Sequence, residues 1–153
     1  MFDQDMAGNI HDYDREVLAI IKRFKAHIVS KDINANTVTH FLATNLKTVK
    51  RIRAAIEAYF PDAEVDQQKV AVVSAIGSDM KIPGILAKTV QAMALQNISV
   101  LAVHQTMRQV DMQFIVNESD YDETVKCLHA ALVEVHDHGR AICHASWNYG
   151  VYM

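Results

Sequence analysis

Thr48-Val49-Lys50-Arg51-Ile52-Arg53-Ala54-Ala55-Ile56 returns 76 positions later as Thr124-Val125-Lys126-Cys127-Leu128-His129-Ala130-Ala131-Leu132, with five of nine letters identical. The chain therefore reads as an internal duplication, each copy being one folding unit of about 70 residues, a size that leaves little room for catalytic machinery beside a core. Upstream, Asn36-Thr37-Val38-Thr39-His40-Phe41-Leu42 aligns with Val110-Asp111-Met112-Gln113-Phe114-Ile115-Val116. Ala26-His27-Ile28-Val29-Ser30 answers Val100-Leu101-Ala102-Val103-His104 at the same spacing. The repeat is strand, strand, helix, twice.

Element signals fill in the rest. Val17, Leu18, Ile20, Ile21 and Phe24 recur at helical spacing and predict a first helix over Asp14–Lys25 with Asp14 as its cap. Lys31 to Asn36 reads as a turn between strands, being rich in residues that hydrogen-bond their own backbone. Leu46–Tyr59 is a helix stopped by Pro61. In the second copy the apolar run Lys69–Ile76 is a buried strand ending at Gly77, and Pro83-Gly84 opens a helix over Ile85–Leu95. Strands over Asn97–His104 and Val110–Asn117 and a helix over Tyr121–Glu134 complete it, with Arg140–Ala145 as a closing strand. Met1-Phe2 is read as the remnant of a first strand. The expected fold class is α+β: two ferredoxin-like βαββαβ units, each an antiparallel sheet with helices on one face. Expected boundaries are 1–66, 67–134 and a tail at 135–153.

Half of the 153 residues are apolar, 22% are charged and the net charge is −3. With no basic stripe and no base-stacking aromatic strand, a nucleic-acid partner is disfavoured. The apolar runs are too short for a bilayer, and two cysteines make no disulfide framework, so a cytoplasmic protein is expected. None of GxxxxGK[ST], GxGxxG, GxSxG or HExxH is found. His136, His138, Cys143 and His144 are the one metal-like cluster; zinc sites usually join two separated ligand pairs, so a polar turn is the better reading. Cys127 reads as a passenger at a helix surface, and His27, His40 and His129 as unremarkable lone histidines.

The segment from Gly77 to Ala87 has a different character. A loop leading from a buried strand into a helix presents N–H groups and a positive dipole end to a carboxylate. Asp79 beside it suits an ammonium, so the corner fits a free amino acid; Gly77 and Gly84 serving only a tight turn is the plain alternative.

Gly77, Met80, Pro83-Gly84-Ile85-Leu86-Ala87, Asn97-Ile98-Ser99-Val100, His104-Gln105, Phe114-Ile115-Val116 and Leu128-His129 resemble the ACT domain in order and spacing. Over roughly 1–134 the pair is similar to the C-terminal regulatory region of aspartokinases, and Phe2 to Gly8 and Ser30 to Thr37 look most like those accompanying ectoine synthesis. The resemblance implies a non-catalytic regulatory region that dimerises and binds an end-product amino acid of the lysine or threonine class. ATP and magnesium would belong to a separate kinase domain that phosphorylates L-aspartate, and this chain itself would need no cofactor. The implied effector residues are Met6, Gly8, Ser30, Lys31, Asp32 and Asn34 in the first copy and Asp79, Met80, Gly84 and Gln105 in the second. Asp32 and Asp79 would hold the ammonium. Two departures stand out: Glu16 occupies the place expected for a helix-start glycine, and Ser30-Lys31-Asp32 replaces a T-S-E element. They leave open a purely structural dimerisation module or a stand-alone amino-acid sensor.

Overall fold

The computed structural model describes residues 1–77 and 80–133, together with the backbone of 150–152. The elements are α1 (Ile10–Arg23), β1 (His27–Asn34), β2 (Thr37–Ala43), α2 (Leu46–Tyr59), β3 (Lys69–Ile76), α3 (Ile85–Leu95), β4 (Val100–Gln105), β5 (Asp111–Asn117), α4 (Tyr121–Leu132) and β6 (Gly150–Tyr152). They divide into two units, one holding Met1–Lys69 and the end of β6, the other beginning at Val70. Each is α+β with an antiparallel sheet, as expected.

In the second unit β5 is paired on both sides, with β3 (Val72 opposite Ile115) and with β4 (Val103 opposite Phe114). Residues facing each other in an antiparallel pair share a sheet face, so Met112, Phe114 and Val116 form one apolar stripe. Ala71, Val73, Met80, Met93, Ile98, Cys127 and Leu128 complete that core. Cys127 is thus buried, and the surface position expected for it is corrected: it falls in the helix stripe with Thr124 and Leu128, where a small thiol packs as a hydrophobe.

The first unit repeats the hairpin. β2 and β5, 74 residues apart, share one alternation of buried and half-buried residues. A bulge interrupts β1 between Ile28 and Ser30, opposite Leu42 and Phe41, and β4 between Val100 and Ala102, opposite the matching Val116 and Ile115. Ile28 therefore corresponds to Val100, an offset of 72 where the sequence alignment used 74. Val17, Ile20, Ile21, Leu42, Ile52 and Ile56 form this unit's core.

The slot that β3 fills in the second unit is shared by two pieces of chain in the first. Phe2 bridges Thr37 and Glu64, consistent with a strand remnant, and stands beside Thr37 as Ile76 stands beside Asp111. Tyr152 stands beside Leu42 as Ala71 stands beside Val116. The expected closing strand Arg140–Ala145 lies outside the described residues.

Two local readings are corrected. Lys31 to Asn34 continue β1, so the turn is only Ala35-Asn36, closed by the pair Asn34–Thr37; ladder pairing overrides the turn preference of these polar residues. The helix begins at Ile10, four residues before Asp14, with Asn9 at its cap position. Gly8, at φ +92°, is then the glycine that turns the chain into α1, as Gly84, at φ +85°, turns it into α3. The missing glycine assigned to Glu16 was a consequence of starting the helix too late.

Candidate functional site

Each unit has a corner where a loop enters its first helix. In the first, Asp3 caps a short 3-10 turn over Gln4–Met6 by accepting from the Asp5 N–H at 2.9 Å. Met6 is fully buried there and anchors the loop, while Gly8 is exposed and a Cβ on it would meet nothing within 4 Å. In the second, Met80 is buried in the core and Ile82, Pro83 and Gly84 are exposed. A Cβ on Gly77 would stand 3.0 Å from the Met80 sulfur, so the methionine side chain packs closely against this glycine. Methionine as buried anchor and glycine as exposed pivot is the common design. Asp79 lies outside the described residues.

The remaining candidates separate by strand geometry. Alternation in β1 sends Lys31 to the helix-bearing face and Ser30 and Asp32 to the opposite one, so the three do not form a single contact surface. Asn34 is exposed at the strand end. Gln105 is exposed at the end of β4, opposite Met112.

Lys31 instead meets residues that sequence reasoning passed over. Its ammonium donates to Asp14 Oδ2, and the imidazole Nε2 of His40, its cross-strand partner, lies 3.2 Å from Asp14 Oδ1. That second contact is at ion-pair distance without the alignment of a full N–H···O bond, and neither atom has another hydrogen-bond partner among the described residues. Asp14 and His40 are buried, their side chains 9% and 5% exposed, whereas the Lys31 side chain is 40% exposed. Burial depresses the His40 pKa below the ordinary histidine range; Asp14 opposes this and Lys31 adds to it. The available signal was the helical phase of Asp14, three residues before Val17 on the apolar stripe.

A cavity of about 260 Å³ opens in the first unit, lined by Phe2, Val38, His40, Ile52 and Gln67 among others. It follows the partly filled strand slot rather than a corner. Among the described residues no group of histidine, cysteine and carboxylate side chains is placed to hold a metal, and His136, His138 and Cys143 fall outside them. No described helix is long and apolar enough to cross a membrane.

The sequence model of the ACT domain family matches residues 73–132, from the middle of β3 to the end of α4. This stretch is an ACT domain. Over 145 residues, 95% of the chain, the sequence is 48% identical to aspartate kinase Ask_Ect of Stutzerimonas stutzeri. The chain spans only 30% of that kinase. Solved structures share the fold over most of the chain. Clostridium acetobutylicum aspartate kinase superposes with a TM-score of 0.71 at 18% identity, covering 78% of this chain and 28% of that one. The ligand-free regulatory subunit of Thermus thermophilus aspartate kinase gives 0.65 at 14% identity, covering 85% and 84%. At those identities the fold is what is shared. The expected kinship with aspartokinase regulatory regions is thus borne out.

Proposed function

We propose that this chain is the regulatory region of an aspartate kinase, that its ACT corners take an amino-acid effector of the lysine or threonine class, and that it pairs with a second copy. The kinase domain it serves would phosphorylate L-aspartate with ATP and magnesium. The observation carrying this reading is the 48% identity to an aspartate kinase along 95% of the chain. Its chemistry is supported by the exposed turn at Gly84, where the amides at the start of α3 and the helix dipole favour a carboxylate. An effector regulates only if it binds two conformations with different affinity, since equal affinity shifts nothing. Calorimetric titration with lysine, threonine, methionine and aspartate tests sensing: saturable heat from at least one is expected, and silence from all four removes the claim.

One observation favours a second reading, a module that only assembles kinase domains. Lys31, one of the implied effector contacts, is already engaged by Asp14. Retained amino-acid control of kinase activity in a longer protein carrying this region would exclude the purely structural role. Sedimentation at the monomer mass would remove pairing from both readings.

A further inference from the structure

The charged cluster of the first unit is not demanded by the fold. Strand register places Lys31 and His40 where the second unit has Val103 and Phe114. Counting from the helix starts at Ile10 and Ile85, Asp14 stands where the second unit has Thr89, whose hydroxyl is satisfied by donating to the Ile85 carbonyl at 2.6 Å. One repeat builds this layer from a hydroxyl and apolar groups, the other from a carboxylate, an imidazole and an ammonium. A buried carboxylate needs a cation. The one supplied arrives on a flexible four-carbon stem that is itself 40% exposed, from the neighbouring strand β1. Lysine presents its charge as a compact ammonium with three donors, the same group that a free amino acid carries.

We propose that Asp14, backed by His40, is an ammonium-binding site which the chain keeps filled with its own Lys31, closing that carboxylate to the ammonium of a free amino acid. The part concerning amino acids rests on the proposed function; the ammonium site does not. A tethered cation has a high effective concentration at its carboxylate, so a free competitor is disfavoured while the tether is present. The second unit has Thr89 in place of the carboxylate and Val103 in place of the lysine, so this site belongs to the first unit alone.

The test uses the whole chain carrying Lys31→Ala, which leaves Asp14 in place and removes three methylenes and the ammonium. Thermal unfolding is followed with propylammonium chloride, with 1-propanol and with sodium chloride at matched concentrations. Propylammonium is expected to raise the melting temperature of Lys31→Ala back toward that of the unaltered chain, and to leave the unaltered chain and Lys31→Met unmoved. Equal shifts with propanol or sodium chloride, or none with propylammonium, would overturn the proposal. Should Lys31→Ala not fold, nitrogen-15 spectra of the unaltered chain decide. A Lys31 ammonium signal protected from solvent exchange, and released in Asp14→Asn, supports the site, and one exchanging like the surface lysines refutes it. Failure of every variant to bind amino acids, with propylammonium rescue intact, would count against the effector reading alone.

Discussion

Asp14 and Thr89 occupy the same turn of the first helix in the two repeats, four residues in from Ile10 and Ile85, and both are buried. Around one the core is ionic, around the other apolar. Replacing a buried ion pair by well-packed apolar groups is often neutral or stabilising, whereas removing one partner strands the other. The triple change Asp14→Thr, Lys31→Val, His40→Phe should therefore cost less than about 1 kcal/mol. Lys31→Met alone should cost more than the triple, though below the about 3–5 kcal/mol of fully buried pairs, because solvent screens the half-exposed ammonium. Denaturant midpoints of the two variants check the order.

His40 makes stability depend on acid. Burial, the largest influence, lowers its pKa in the folded chain, so the unfolded chain takes up the proton first. Its contribution is complete above about pH 6.5, the ordinary histidine value, and is lost as pH falls from there toward the folded pKa. Melting temperature should drop with acidification across that window, and His40→Phe should flatten the drop. A variant tracking the unaltered chain point for point would contradict this.

Gly8 and Gly84 have room for a side chain but not the backbone for one. Alanine at either should cost about 1–2 kcal/mol through the left-handed conformation alone. Asparagine should cost less, since it tolerates that conformation better. Equal losses for alanine and asparagine by chemical denaturation would mean that space, not φ, governs these corners.

Cys127 offers a check on the second core. Burial raises its thiol pKa, so little thiolate is present at neutral pH. In a Cys143→Ser background the native chain should react with a thiol reagent far more slowly than after unfolding. Equal rates would place the sulfur at the surface.

The repeat made the hairpins and paired helices legible, because identical letters at Thr48–Ile56 and Thr124–Leu132 impose one helix phase on both copies. What escaped was set by tertiary contact. Lys31 to Asn34 have turn-forming letters, yet pairing with Thr37 to His40 holds them in a strand. Ile10 to Tyr13 carry weak helical periodicity, and the tertiary contact made there, Tyr13 stacking on Phe60 with ring centres 4.9 Å apart, is invisible to local pattern. Starting the helix at Asp14 turned a buried ion-pair residue into a cap and hid Gly8 as the pivot. Of the candidate site residues, Met6, Gly8, Met80 and Gly84 come from the family resemblance, and the structure makes the two methionines buried anchors and the two glycines exposed pivots. The engagement of Lys31 was not legible, since it depends on a helix residue 17 positions away.

The central claim is that an amino acid is recognised at an ACT corner. Amide chemical shifts of the nitrogen-15-labelled chain, followed while lysine, threonine, methionine and aspartate are added in turn, test it most directly. Saturable movement concentrated at Gly77, Met80, Gly84 and Ile85 is the predicted result, with Lys31 and Asp14 still. No movement with any of the four, or movement confined to the strand-slot cavity around Val38 and Gln67, would contradict it.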